Sequence, residues 1–230
     1  AIRFFGKFPP PIATYLINKY SDKNSLVIDT MAGSGTTAVE CLIHERSCLS
    51  SDINPFMILL AKVKTTKLDE KKIEEIFFKI KSQYIPVDFQ KFKKNFSGIK
   101  NIDHWFLKNT QNSLMGLREE ILKIKDKKYQ EFFLVCFLSI IRRVSRATSQ
   151  QGRLFLDIET AEEDAFPFFE KKVLAFKQRV AQLPSKKAKI QIIEHNIKSD
   201  TLVKYKNKAD LVILHPPYFN SYKYSSVMSL

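Results

Sequence analysis

The sequence predicts an α/β protein whose parallel sheet is interrupted by a helical insertion, and three observations carry that prediction. A β-branched run, SLVIDT (25–30), passes directly into a glycine turn and a helical pattern, MAGSGTTAVECLIHE. A second strand and helix follow at once, in SCLSSDINP (47–55) and PFMILLAKVKTT. Two further strand patterns return near the other end, KAKIQIIEHN (187–196) and ADLVILHPPY (209–218). Strands alternating with helices argue for a parallel sheet.

The elements can be justified in order. Pro55 sits where a first helical turn tolerates proline, so the second helix opens there. Between the strand pairs the period changes. Ile73, Ile76, Phe77 and Ile80 recur at helical spacing, as do Phe89, Phe92 and Phe96 among lysines. QNSLMGLREEILKI, YQEFFLVCFLSIIRRVSR (129–146) and EEDAFPFFEKKVLAFKQRVAQL (162–183) read as three more helices, the last with Pro167 near its start. The expected organisation is therefore a first half-sheet over 1–65, a helical insertion over 66–185 and a return to the sheet over 186–230. Only four strands are visible, and the last would form an exposed edge. The sheet looks incomplete at its C-terminal side, as expected of one part of a larger protein.

Composition narrows the partners. The 230 residues are 44% apolar and 12% aromatic, enough for a packed core. The longest apolar run, FFLVCFLSII (132–141), is about half a membrane span, so no membrane partner is expected. The three cysteines lack metal spacing or an evident pairing scheme, and His44, His104 and His195 lack ligand partners, so no metal is expected; a reduced, cytoplasmic setting fits best. The formal charge of +14 points to polyanions. RRVSRATSQQGR gathers Arg142, Arg143, Arg146 and Arg153 among short polar residues, which suits phosphate or base-edge contacts; a positively charged helix C-terminus is the plainer alternative. Tyr222, Lys223 and Tyr224 interleave aromatic and basic groups, as a single-stranded or flipped base would favour.

Two motifs carry the chemistry. In DTMAGSGTT (29–37), glycines after a strand let the backbone approach a ligand. No Gly-Lys-Ser/Thr follows, and the third glycine of the dinucleotide fingerprint is missing, so a nucleoside cofactor without a pyrophosphate is indicated. Asp52 ends the next strand where an acid would grip ribose hydroxyls; the alternative is a cap for the helix at Pro55. At the other end, HPPY (215–218) closes a strand with two fixed φ angles, and so presents a flat ring and carbonyl acceptors at the carboxyl edge, where open α/β sheets bind ligands.

Together these motifs resemble those of the S-adenosylmethionine-dependent DNA amino-methyltransferases, which methylate cytosine N4 or adenine N6. DTMAGSGTT is similar to their cofactor motif with Thr30 and Met31 replacing Pro and Phe, SDINP to the acidic motif, GKFPPPIATYLI to the segment over the methionine, and HPPY to the catalytic Pro-Pro-Tyr motif. The likeness covers residues 3–62 and 187–224 and implies a Rossmann-like class I methyltransferase sheet. It implies that Gly33, Ser34 and Gly35 line the methionine and ribose, with Met31, Ala32 and Thr36 in the same motif. Asp29 would hold the cofactor amine, Asp52 the ribose diol, and Ile53 and Asn54 the adenine. Lys7, Phe8 and Pro9 would pack over the methionine. The contact to the adenine amine would fall on Asn196 or Asp200.

For catalysis the resemblance implies His215, Pro216, Pro217 and Tyr218. The Pro216 carbonyl and the side chain at 215 would accept the base amine's N–H groups, and Tyr218 would stack on a flipped base. Histidine at 215 replaces the usual Asp, Asn or Ser. A neutral imidazole offers one acceptor nitrogen and an imidazolium none, so activity is expected to fall on acidification. Double-stranded DNA is the expected partner, with a restriction endonuclease or the remainder of the methyltransferase beside it. RNA or protein-glutamine methylation and a non-catalytic DNA-binding subunit are the alternatives.

Overall fold

The computed structural model describes residues 8–96, 101–150, 153–160, 162–185, 188–196, 202 and 205–216. The chain divides into two compact units. One takes in the described residues up to Lys67 together with those of Arg179–Tyr218; the other contains the stretch Leu68–Gln178.

The first unit is an α/β unit. Its strands are β1 (Leu26–Asp29), β2 (Ser47–Asp52), β5 (Ile190–Glu194) and β6 (Leu211–Val212), in the order β5-β2-β1-β6, every neighbouring pair parallel. This is the expected Rossmann-like sheet. It has four strands among the described residues, with β6 at its edge and Val212 53% exposed there. Helices α1 (Pro10–Tyr20), α2 (Thr36–Ile43) and α3 (Pro55–Lys64) belong to the same unit. Ile17 of α1 and Ala38 and Cys41 of α2 bury one sheet face with Val27, Cys48 and Ile213. The Thr14 hydroxyl donates to the Glu40 carboxylate at 2.8 Å, tying α1 to α2. Although β6 is short, it is fixed at both ends. The Asp210 carboxylate accepts from the Leu26 N–H at 2.7 Å, and the Ile213 N–H donates to the Ile28 carbonyl at 2.9 Å. All three cysteines are free and buried.

The second unit is mainly helical: α4 (Glu70–Gln83), α5 (Ile102–Trp105), α6 (Lys108–Leu122), α7 (Lys127–Ile141) and most of α8 (Ala165–Ala181). Asp69 and Asp126 cap α4 and α7 by accepting the Lys72 and Lys128 N–H groups. Phe132, Phe133 and Phe169 are fully buried, with Phe132 and Phe133 edge-to-face at 5.2 Å. Two expectations are corrected here. The phenylalanines at 89, 92 and 96 sit in two short 3-10 turns, Phe89–Lys91 and Lys93–Phe96, because only Phe89 is buried and the run has no face to sustain a longer helix. The helix expected to run to Arg146 ends at Ile141. Beyond it, β3 (Ala147–Gln150) and β4 (Arg153–Leu156) form an antiparallel hairpin that the helical periodicity had hidden. Among the described residues, no helix is long and apolar enough to cross a membrane.

Gly116, inside α6, lies against the backbone of Ile85 and Pro86, where an added Cβ would press on the Ile85 carbonyl. Alanine normally stabilises a helix interior by about 1 kcal/mol relative to glycine. Here the close approach reverses the sign: Gly116→Ala is expected to destabilise by about 1–3 kcal/mol, as overpacking does. Urea unfolding of the variant checks this, and a gain in stability would show that the two backbones separate freely.

Candidate functional site

Parallel pairing brings the carboxyl ends of all four strands to one edge, and the sequence places Asp29, Asp52, His195 and His215 at or just past those ends. The loop from Thr30 to Gly35 is the centre of this edge. Its N–H groups are largely taken up inside the protein. Met31 donates to the Asp29 carboxylate at 3.0 Å, Ala32 to the Ser51 carbonyl at 2.9 Å, Gly33 to Asp52 Oδ2 at 2.8 Å and Gly35 to the Ala32 carbonyl at 2.8 Å. A loop that gives its donors to protein acceptors is no anion cradle, in keeping with a cofactor that lacks a pyrophosphate.

Both loop glycines have positive φ, +48° at Gly33 and +77° at Gly35. At Gly35 a Cβ would also stand 2.7 Å from Ala61 Cβ, so the loop lies directly on α3. Lys64, one turn further along α3, donates from Nζ to the Ser34 carbonyl at 2.6 Å.

Asp52 joins two segments. Its Oδ2 holds the Gly33 N–H and its Oδ1 the Asn54 N–H at 2.9 Å, which leaves further lone pairs on each oxygen. The cap of α3 is Asn54, whose side chain accepts the Phe56 N–H at 2.9 Å, so the capping alternative considered for Asp52 falls to its neighbour. Ile53 is 65% exposed beside them, an apolar side chain standing open at the strand tip. Asp29 is only 4% exposed. Burial pushes its carboxyl above the ordinary value. The Thr37 hydroxyl, although short of full hydrogen-bond geometry, and the Met31 N–H pull it back, the Asp52 charge adds to the rise and His215 opposes it. The Thr30 hydroxyl is buried at the same loop without a hydrogen-bond partner among the described residues.

His215, half-buried, stacks on Phe8 with ring centroids 5.1 Å apart and planes 25° from parallel. Phe8 therefore meets the residue at the head of HPPY. Pro9 caps α1 and is exposed, as is Asn196 beyond β5, while Thr36 and Ala32 are buried in the loop and first helical turn. Lys7, Pro217, Tyr218, Tyr222, Lys223 and Tyr224, with Asp200, lie outside the described residues. Among the described residues no group of three His, Cys, Asp or Glu is placed to hold a metal.

The arginines expected to contact nucleic acid lie in the second unit. Arg142 follows α7 and is half-buried; Arg143 is exposed, with its guanidinium 4.9 Å over the Phe168 ring. The Arg146 N–H donates to the Trp105 carbonyl and its carbonyl accepts from the Asp157 N–H, and Arg153 pairs with Gln150 in the hairpin. Sequence reasoning missed Lys64, the Thr30 hydroxyl and the contact between Phe8 and His215.

A parallel sheet with a glycine loop after its first strand and an acid ending its second is consistent with a Rossmann-like methyltransferase fold. Residues 2–63 match the family model described as DNA methylase, and the resemblance to the N4/N6 amino-methyltransferases holds. The chain is 28% identical over 132 residues to the Type II methyltransferase M.MvaI of Kocuria varians, covering 55% of this chain and 29% of that protein. It is 37% identical over 71 residues to the Type II methyltransferase M.MjaII of Methanocaldococcus jannaschii, covering 31% of this chain and 13% of that protein. The chain thus spans less than a third of the length of these curated relatives.

Two outcomes are expected. Asp52→Ala leaves the Gly33 and Asn54 N–H groups without their acceptor and should cost about 1–3 kcal/mol in chemical denaturation; Asp52→Asn, which keeps one acceptor oxygen, should cost less. An equal cost for both would count against the two-sided bridge. For Asp29, a folded-state pKa raised above its unfolded value of 3.8 supplies stability that is fully present below that value. That stability is lost as pH rises through the folded pKa. Asp29→Asn keeps an oxygen for Met31 and has no charge to bury, so its stability relative to the unsubstituted chain should improve from about pH 4 to neutrality. A difference constant over that range would contradict the burial of an ionising carboxyl.

Proposed function

We propose that this chain belongs to a DNA methyltransferase that moves a methyl group from S-adenosylmethionine to an exocyclic amine, cytosine N4 or adenine N6, of a base rotated out of the duplex. One observation carries the reading: a glycine loop whose donors are internally held, two aspartates and His215 share a single carboxyl edge. The family match over residues 2–63 and the two relatives support it.

The residues fit such a cofactor. Asp52 keeps acceptor lone pairs for a ribose diol, Ile53 offers an open apolar surface for an adenine, and the Thr30 hydroxyl lacks a protein partner among the described residues. Asp29 supplies a carboxylate for the amine. Ser34, Met31 and Lys7 complete the methionine side in this reading, with Phe8 shared between that side and His215. When bound, S-adenosylmethionine supplies an electrophilic methyl group on a sulfonium. The remaining chemistry falls to the protein. An exocyclic amine is a poor nucleophile because its lone pair is delocalised into the ring. The Pro216 carbonyl and a neutral His215 nitrogen hold its two N–H groups and favour a more tetrahedral nitrogen, which frees the lone pair toward the methyl carbon. Phe8 orients the imidazole by stacking on it. Tyr218 stacks on the flipped base, recovering about 1–3 kcal/mol against the few kcal/mol that flipping costs. Residues 66–185, with Arg142, Arg143, Arg146 and Arg153, grip the DNA in this scheme, and the formal charge of +14 favours that contact. The setting is a restriction–modification system, as the names of both relatives suggest.

Incubation with labelled S-adenosylmethionine and unmethylated duplex DNA, with structured RNA alongside, followed by nucleoside mass spectrometry, tests the proposal. N4-methylcytosine or N6-methyladenine in DNA is expected. His215→Ala should lower the rate about a hundredfold, the scale of losing one placed hydrogen-bonding group, and His215→Asn, which restores an acceptor oxygen, should lower it less. Label in RNA alone, or none with the cofactor bound, would overturn the DNA reading.

A further inference from the structure

We propose that Lys64 is a positioning residue of the cofactor loop, fixing the Ser34–Gly35 peptide from outside the motif. This rests on the S-adenosylmethionine reading of the site.

Its two glycines leave this loop little conformational restraint of its own. Gly33 and Gly35 both hold positive φ, and a glycine-flanked peptide plane turns at little steric cost. The structure restrains that plane from both sides. On the N–H side, Gly35 donates to the Ala32 carbonyl at 2.8 Å. On the carbonyl side of the neighbouring residue, the Ser34 oxygen accepts from Lys64 Nζ at 2.6 Å, a charge-assisted bond in a part-buried setting. These two groups belong to one peptide unit. The same turn of α3 supplies Ala61, whose Cβ occupies the space a Gly35 side chain would need. Ala61 and Lys64, three residues apart, thus face the loop from one side of the helix and act on consecutive residues of it, Gly35 and Ser34.

The alternative use of Lys64 is ordinary: a cation in the last turn of a helix favours the carbonyls at that end. Lys62 also lies in that turn. Lys64 instead reaches thirty residues back along the chain to a loop carbonyl. A helix-end role would leave the loop's restraint untouched by its removal; a positioning role would not.

Three variants of the 230-residue chain decide between them. Lys64→Met keeps the length and removes the donor, Lys64→Arg restores a cationic donor, and Lys64→Gln carries the test should Lys64→Met not fold. Amide hydrogen exchange on the ligand-free protein and calorimetric titration with S-adenosylmethionine are the readouts, with thermal unfolding alongside. Lys64→Met should accelerate exchange across residues 31–36 and weaken cofactor binding about tenfold, the scale of one hydrogen bond to a charged group. Lys64→Arg should bring both back toward the unsubstituted protein. Unchanged exchange in the loop, or a loss of affinity that only follows the fall in melting temperature, would overturn the proposal. If the unsubstituted chain itself binds no S-adenosylmethionine, the cofactor reading and the role built on it fail together. Loop exchange altered by Lys64→Met without any change in affinity would leave the cofactor reading standing and overturn the role of Lys64 alone.

Discussion

The carboxylate of Asp52 is the fixed point of the first unit. It ends β2, and each of its oxygens holds a backbone N–H, one from the loop after β1 and one from the turn into α3. Two crossover connections that share no sequence are thereby held at one height above the sheet. The αL conformation at Gly35, the approach of Ala61 and the reach of Lys64 follow once the loop is pinned there. The same carboxylate keeps lone pairs on each oxygen, so in the proposed reading a structural bridge and a binding group coincide in one side chain. This economy explains why an acid ends the strand although Asn54 caps the helix.

The second unit rests on different physics. Its stability comes from aromatic packing around Phe132, Phe133 and Phe169 and from aspartate caps on α4 and α7. Lysines on its surface are partly paired, as Lys93 is with Asp103 and Lys72 with Asp126. Such exposed pairs contribute little to stability. The positive excess of the chain therefore bears on the proposed polyanionic partner more than on folding.

Much of this was legible in the sequence. The parallel sheet followed from SLVIDT, a short β-branched run, and from the alternation of strand and helix patterns after it. Asp29, Asp52 and the glycine loop could be placed at the strand ends because their motifs are local in sequence. What escaped depends on distance along the chain or on competition between patterns. The Lys64 contact spans thirty residues and leaves no motif. The stacking of Phe8 on His215 joins opposite ends of the described chain. The hairpin β3–β4 was lost because ATSQ and RLFL follow a strong helical run, and Arg142 to Arg146 read as its continuation. The 3-10 turns at Phe89 and Phe96 show the converse: a helical period without a continuous buried face does not sustain a helix.

The most direct measurement is a titration of the isotopically labelled chain with S-adenosylhomocysteine, followed by backbone amide NMR. If the carboxyl edge of the sheet binds the cofactor as described, the amides of Gly33, Ser34, Ile53 and Asn54 shift together and saturate with one affinity. Shifts confined to residues 68–178, or none at the loop and the strand tip at saturating ligand, would contradict the account.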